Sequence, residues 1–303
     1  MIRVTTVIPV YNRKDLVKRS IESAISQGID GHEILLMDNC STDGTWEVLK
    51  EYSRRDTRVR CVRNECNIGP VKNWKRGVEI ARGEYCHLLF SDDTVEPGFL
   101  GKVLPLFDSQ TGYVITGHVK CQDGREVGRS TFQERREISR GELLRAVVFD
   151  NPERIQLINP VGAVFRRVDL VSAIFPEIEN PFGIDFNSHG AGPDMLMLAI
   201  VGSRYDRIRC VDEHLAVMHS HAGSITVQSS DLRFPREWAR WYFVREYWPQ
   251  ERERYLASLW VKSWRTRSLR PLVREVRRSL FVGAGLRLRW VLWYLVLRMR
   301  GRR

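Results

Sequence analysis

Two acidic side chains in succession, Asp92-Asp93, follow the apolar run Leu88-Leu89-Phe90 and Ser91 in a chain of 303 residues. Adjacent like charges at a strand end repel and lose hydration together, a cost that a divalent cation or a catalytic task offsets. The alternative is an acidic turn that caps the next helix, because Asp accepts well from free N-terminal amides. In an open α/β sheet, ligands bind outside the carboxyl ends of the strands, which is where the doublet falls if residues 84–90 form an inner strand. A second carboxylate, Asp194, stands in Gly190-Ala191-Gly192-Pro193-Asp194-Met195, just before an apolar helix. The glycines there allow close approach of backbone and ligand; a helix cap is the plainer use of that aspartate. Asp185 and His189 are titratable neighbours. Further on, Met218-His219-Ser220-His221-Ala222-Gly223-Ser224 offers two imidazoles, each a competent metal ligand.

The elements that must carry these groups alternate in type. Thr5-Thr6-Val7-Ile8-Pro9-Val10-Tyr11-Asn12 is a β-rich run ending in a turn, followed by Leu16, Val17, Ile21, Ala24 and Ile25 at helical spacing. Glu33-Ile34-Leu35-Leu36-Met37 reads as a buried strand and Asp38-Asn39-Cys40-Ser41-Thr42-Asp43-Gly44-Thr45 as turn and cap residues before a helix over 46–52. A third strand over 59–62 leads to Asn64-Glu65-Cys66-Asn67-Ile68-Gly69 and a helix over 71–81, with Gly83 as its stop signal. This alternation implies an α/β fold with a mostly parallel central sheet flanked by helices. Three strand ends, at Pro9 to Asn12, at Asp38 to Asp43 and at Asp92-Asp93, then lie along one edge.

These motifs together resemble a known family. The chain is similar to the family 2 glycosyltransferases of GT-A (Rossmann-like) fold over about its first 225 residues. Val7-Ile8-Pro9-Val10-Tyr11-Asn12 resembles that family's nucleotide-binding first strand, and Asp38 to Thr45 its second signature. Asn67-Ile68-Gly69 through Asn73, with Gly83-Glu84-Tyr85, resembles the third. Ser91-Asp92-Asp93 falls where the family carries its DXD-type metal motif. The resemblance implies a metal-dependent, inverting transfer of sugar from a nucleotide-diphosphate donor to a hydroxyl of a glycan or lipid-linked acceptor, in surface polysaccharide assembly. It implies Mn²⁺ or Mg²⁺ on Asp93, with His221, ahead of Gly223-Ser224, as a further ligand. It also places Asp92 against the donor's ribose or sugar, Asp38 at the base edge, and Pro9, Tyr11 and Asn12 along the nucleotide. Lys72 is a phosphate candidate or a solvated helix lysine. Asp194 takes the place of the family's catalytic base, while Pro193 occupies the position where another acid usually stands.

The expected organisation is a catalytic domain over 1–228, divided into a donor half (about 1–110) and an acceptor half (about 111–228), then a helical extension over 229–303. The hairpin over 113–127, turning at Asp123-Gly124, and a strand over 155–165 are expected to build the acceptor side. Ser139-Arg140-Gly141-Glu142 has the spacing of a capping box. The formal charge of +11 is lopsided, with 19 Lys+Arg against 6 Asp+Glu from residue 231 onward and 29 against 31 before it. The segment 279–298 mixes Arg with aromatic and aliphatic residues, which suits the interface of an anionic membrane; the alternative is a helical cap with a solvated basic face. Glu237-Trp238-Ala239-Arg240-Trp241 is similar to the acceptor-binding signature of processive polysaccharide synthases, but Glu replaces the usual Gln, and it reads as ordinary helix. Scattered cysteines, the lack of a leader-like N-terminus and the lack of a stretch approaching the roughly 20 apolar residues of a membrane span imply a cytoplasmic chain, peripheral where the tail meets membrane. A sugar nucleotidyltransferase would show a glycine-rich phosphate loop that Pro9 to Asn12 does not supply. A nucleic-acid-binding role would need a module that is missing, so no nucleic-acid partner is expected.

Overall fold

The computed structural model describes residues 2–132, 134–149, 160–224, 227, 231–279, 290–292 and 294–296. Its first half is a run of strand and helix: β1 (Val4–Val10), α1 (Val17–Ile25), β2 (His32–Asp38), α2 (Thr45–Arg55), β3 (Val59–Arg63), α3 (Pro70–Ile80) and β4 (Tyr85–Leu88). These strands pair in parallel in the order β3-β2-β1-β4. Every residue of β1 and β2 is buried, as parallel strands covered by helices on both faces must be, and this is why the stretches 7–10 and 34–37 are apolar without alternation.

After the doublet come β5 (Thr94–Val95), α4 (Phe99–Val103), β6 (Tyr113–Gln122), β7 (Arg125–Ser130), β8 (Glu137–Ser139), α5 (Arg140–Phe149), β9 (Ala163–Arg166), α6 (Arg167–Val171), α7 (Phe186–His189), α8 (Pro193–Ser203) and β10 (Arg207–Ser220). The sheet continues β4-β9-β6-β10-β5, with β7 on β6 and β8 on β10. This half is mixed rather than parallel. β9 runs antiparallel to both β4 and β6, while β6 and β10 run parallel to each other. The hairpin turns where expected, with both Asp123 (φ 48°) and Gly124 (φ 80°) left-handed, as a two-residue turn of matching twist requires. The capping box also forms: the Glu142 amide donates to Ser139 Oγ and the Ser139 amide to Glu142 Oε2. Of the strand expected over 155–165, the structure describes only the end, β9; residues 155–159 lie outside the described residues. Gly83 stops α3 for a different reason from the one its sequence suggests. Its φ is not left-handed; a Cβ there would stand 2.5 Å from the Thr5 amide nitrogen, so the glycine permits close backbone approach.

Three further helices, α9 (Arg233–Tyr247), α10 (Arg252–Arg265) and α11 (Arg270–Ser279), complete the chain's described helical part. Trp238, Trp241, Tyr255, Leu259, Leu272 and Val276 belong to the same buried cluster as Val7 and Leu35 of the sheet. Their 3.6-residue periodicity faces inward. Arg274, Arg277 and Arg278 of α11 stay exposed, so the basic residues form the outer face of a packed cap. Most of the segment 279–298 lies outside the described residues; within it Val291 and Tyr294 are buried, and Trp290 donates to Glu253 at 3.0 Å. No helix among the described residues is long and apolar enough to cross a membrane.

The tightest helix-to-sheet contact is at Gly77, where a Cβ would stand 2.5 Å from Val7 Cγ1 and 3.0 Å from Met37 Cγ. Alanine is the better helix former by roughly 1 kcal/mol, but overpacking of this kind costs about 1–3 kcal/mol. Gly77→Ala is therefore expected to lower stability in urea denaturation. A variant as stable as the wild type would show that α3 can lift off the sheet without penalty.

Candidate active site

A cleft of about 1180 Å³ opens at the carboxyl ends of the strands. Pro9, Val10, Tyr11, Asn12 and Arg13 line it from the end of β1, and Tyr11 is 42% exposed at its lip. Asn12 is left-handed (φ 50°). In that conformation its amide donates to Ser41 Oγ at 2.9 Å and its Oδ1 accepts from the Thr42 amide at 2.8 Å, locking the loop after β1 to the loop after β2. A ladder of asparagines follows: Asn67 accepts from Asn39, Asn39 accepts from Asn64, and Asn64 also donates to Asn73 at 2.9 Å. Asn39, Asn67 and Asn73 line the cleft.

Asp92 and Asp93 face it from the end of β4. Their backbone carbonyls are tied to α1, Asp92 by the Arg19 guanidinium and Asp93 by Ser20 Oγ. Asp93 Oδ1 accepts the His219 amide at 2.8 Å, and Asp92 Oδ2 lies 3.2 Å from His221 Nε2. The Gly223 amide donates to His221 Nδ1, which leaves the proton on Nε2 to be donated to Asp92. Burial, reinforced by the charge of Asp92, holds the Asp93 carboxyl well above the usual carboxylate range. Burial in turn lowers His219, whose ring lies 3.4 Å from Thr94 Oγ1.

The other wall carries Asp194, in the first turn of α8 behind Pro193 at the helix start. Its Oδ1 accepts the Gly192 amide at 2.8 Å and the Met195 amide at 2.7 Å. Oδ2 takes no hydrogen bond among the described residues, and the side chain lines the cleft. One oxygen fixes the carboxylate while the other is available to a substrate. Beside it the Ala191 amide donates to His189 Nδ1 at 3.0 Å, and burial lowers the His189 imidazole, opposed by Asp185 and Asp194 and assisted by Arg236.

Residues 5–165 match the family described as Glycosyl transferase family 2. The chain belongs to that family. Among curated relatives, it is 32% identical over 123 residues to the putative teichuronic acid biosynthesis glycosyltransferase TuaG of Bacillus subtilis, across 40% of this chain and 49% of the relative. It is 36% identical over 90 residues to the Escherichia coli UDP-Glc:alpha-D-GlcNAc-diphosphoundecaprenol beta-1,3-glucosyltransferase WfaP, across 30% and 35%. The chain thus matches half or less of the length of each. A crystal structure of S. aureus TarS 1-349 in complex with UDP-GlcNAc superposes with a TM-score of 0.62 at 16% identity, covering 91% of this chain and 87% of that one. That likeness establishes the GT-A fold.

Not every residue the family pattern suggests meets in the cleft of this family 2 chain. Pro9, Tyr11, Asn12, Asp92, Asp93 and Asp194 do. Asp38 does not. It is fully buried, accepting the Ser41 amide and pairing with Arg63 at 3.2 Å, so Asn39 is the residue of that loop that faces the cleft. Lys72 pairs with Glu177 at 2.9 Å on the surface and is not part of the cleft lining. His221 stands behind Asp92 and orients it, while His219 lines the cleft. Asp185 caps α7 through the Asn187 amide. Sequence reasoning missed Glu237, Arg240 and Lys262, which line the cleft from α9 and α10. Glu237 Oε1 pairs with Arg240 at 2.6 Å and Lys262 at 2.7 Å, and its Oε2 accepts from Tyr255. The available signal was the likeness of residues 237–241 to an acceptor-binding signature, set aside because Glu stands where Gln is usual.

Among the described residues, no three His, Cys, Asp or Glu side chains converge as a closed metal set. The doublet nonetheless fits an open site: two hard oxygen donors, one held back from ionising by burial and by its neighbour's charge, in a cleft where substrate oxygens could complete the coordination. The raised Asp93 proton has a measurable effect. The unfolded chain releases this proton near pH 4; the folded chain holds it to higher pH, so Asp93 subtracts stability as pH rises above that point. Asp93→Asn keeps the acceptor for the His219 amide and is expected to melt above the wild type at pH 7 in the absence of divalent ions, the gap closing toward about pH 3. Equal or lower melting at pH 7 would show that Asp93 is not a strained acid.

Proposed function

We propose that this chain transfers a sugar from a nucleotide-diphosphate sugar to a hydroxyl of a glycan or lipid-linked acceptor, with inversion at the anomeric carbon. The observation that carries the reading is the opposition of the Asp92-Asp93 doublet and the available Oδ2 of Asp194 across one cleft. Pro9, Tyr11, Asn12 and Asn39 supply the wall and polar groups for the nucleotide. Asp93, with Asp92, would hold a divalent cation, Mn²⁺ or Mg²⁺, and when bound it supplies Lewis-acid neutralisation of the diphosphate leaving group. Asp194 Oδ2 accepts the proton of the acceptor hydroxyl as that oxygen attacks the anomeric carbon from the face opposite the diphosphate. The two amides on Oδ1 fix the orientation of the carboxylate, so that Oδ2 is the oxygen offered to the acceptor. His189 stays neutral beside it and can donate from Nε2 to the acceptor. The printed roles of TuaG, in teichuronic acid biosynthesis, and of WfaP, on a diphosphoundecaprenol-linked sugar, support a place in surface polysaccharide assembly.

Asp194→Asn should retain nucleotide binding and lower turnover by a factor on the order of 10²–10⁴. In parallel, EDTA should weaken nucleotide binding by the wild type. Near-normal turnover of the variant would remove the base role from Asp194, and nucleotide affinity indifferent to EDTA would remove the cation from the mechanism.

The exposed Arg274, Arg277 and Arg278 support docking of this cap on the anionic cytoplasmic membrane face, where a lipid-linked acceptor would be presented. Each contributes on the order of 1 kcal/mol near such a surface, screened at high salt. Replacing all three by Gln should release the chain from phosphatidylglycerol liposomes in co-sedimentation while transfer to a soluble acceptor continues; undiminished binding would place the membrane contact elsewhere.

A further inference from the structure

The cleft continues past Asp194, and its far end is basic. α9 is seated against the start of α8 at one point, where a Cβ on Gly192 would lie 2.7 Å from Ala239 Cβ. Arg236 and Arg240 flank Ala239 on α9, and Lys262 reaches the same wall from α10. These cations therefore lie beside Asp194, on the wall built by the C-terminal helices and away from the sheet edge that carries Asp92 and Asp93. The carboxylate among them, Glu237, is already engaged by Arg240, Lys262 and Tyr255. Arg236 has no ion pair or side-chain hydrogen bond among the described residues, yet it lines the cleft, and its charge opposes protonation of His189. Half-buried cations lose hydration, and an anion in the cleft restores the balance.

We propose that Arg236, backed by Arg240 and Lys262, is an anion subsite that binds a phosphate group of the acceptor. The proposal rests on the glycosyl-transfer reading above and narrows its acceptor to one that carries phosphate next to the accepting sugar. Guanidinium groups recognise phosphate oxygens by paired, charge-assisted hydrogen bonds. Two sources share that chemistry, the diphosphate of a lipid carrier and the phosphodiester of a polyol phosphate polymer.

Isothermal titration of the full chain with geranyl diphosphate, and separately with a glycerol phosphate oligomer, tests it. EDTA is present throughout so that no cation bridges the probe to Asp92 and Asp93. At least one probe should bind, and Arg236→Gln should weaken it about tenfold to hundredfold, the loss expected of a hydrogen bond to a charged group. Arg236→Lys should recover part of that loss. Arg54→Gln, at an exposed position of α2 outside the cleft lining, should change nothing. Preference for geranyl diphosphate assigns the subsite to a lipid carrier, and preference for the oligomer to a polymer. Binding of neither probe, binding that requires Mn²⁺, or equal binding by wild type and Arg236→Gln overturns the proposal. Hydrolysis of nucleotide sugars with Mn²⁺, measured separately, reports on the transfer reading itself.

Discussion

Keeping two neighbouring carboxylates at the edge of a buried sheet is the electrostatic problem around which this chain is organised. Asp92 and Asp93 cannot both shed their hydration and stay charged without help, and the help comes from distant parts of the sequence. The Arg19 and Ser20 side chains hold the backbone of the doublet from α1, while His219 and His221 engage its carboxylates from the end of β10. β10 can reach that far only because it runs 14 residues through the sheet, parallel to β6 and with two shifts of register on the way. The mixed half of the sheet thus exists in service of a site whose acids belong to the parallel half.

Much of this was legible in the sequence, and for local reasons. β1 and β2 carry the apolar runs 7–10 and 34–37 because both faces are covered; the Asp123-Gly124 turn and the Ser139-Glu142 capping box are set by residues within four positions of each other. The Gly-Pro-Asp start of α8 announced a carboxylate held at a helix N-terminus, and the structure pins it by two amides. What escaped depends on distance in sequence. The insertion of β9 between β4 and β6 is a pairing that no local pattern encodes. Asp38 and Lys72 have residue types suited to a ligand, but Arg63 and Glu177 reach them first. His219 and His221 stand two residues apart and would share a face of one strand, but the strand ends at Ser220, and past that end the His221 ring turns to Asp92 while His219 lines the cleft.

The C-terminal helices show the same ambiguity at larger scale. Arginine interleaved with tryptophan reads equally as a membrane-facing ribbon or a packed cap, because both need one apolar face and one basic face. Burial of Trp241, Leu272 and Val276 in the core shared with the sheet settles the inner face, and the ion group around Glu237 belongs to that interior. That group closes partly within α9, between Glu237 and Arg240, and partly through Lys262 of α10, a pairing between helices that no local pattern encodes.

One small clamp links the two halves by heredity as well as by geometry. Asn187, ahead of the catalytic wall, donates to the Ile68 carbonyl 119 positions away and accepts from the Lys72 amide. Its amide group occupies the space in which any side chain at Gly69 would have to sit, and Gly69 is itself left-handed (φ 84°). The two positions cannot drift independently. A side chain at Gly69 fits only if Asn187 also changes, so a recombinant that takes its first half from another chain has to match the two positions. A chimera joined anywhere between these two positions therefore separates a fitted pair, and keeps this contact only if both residues come from one parent or are refitted together.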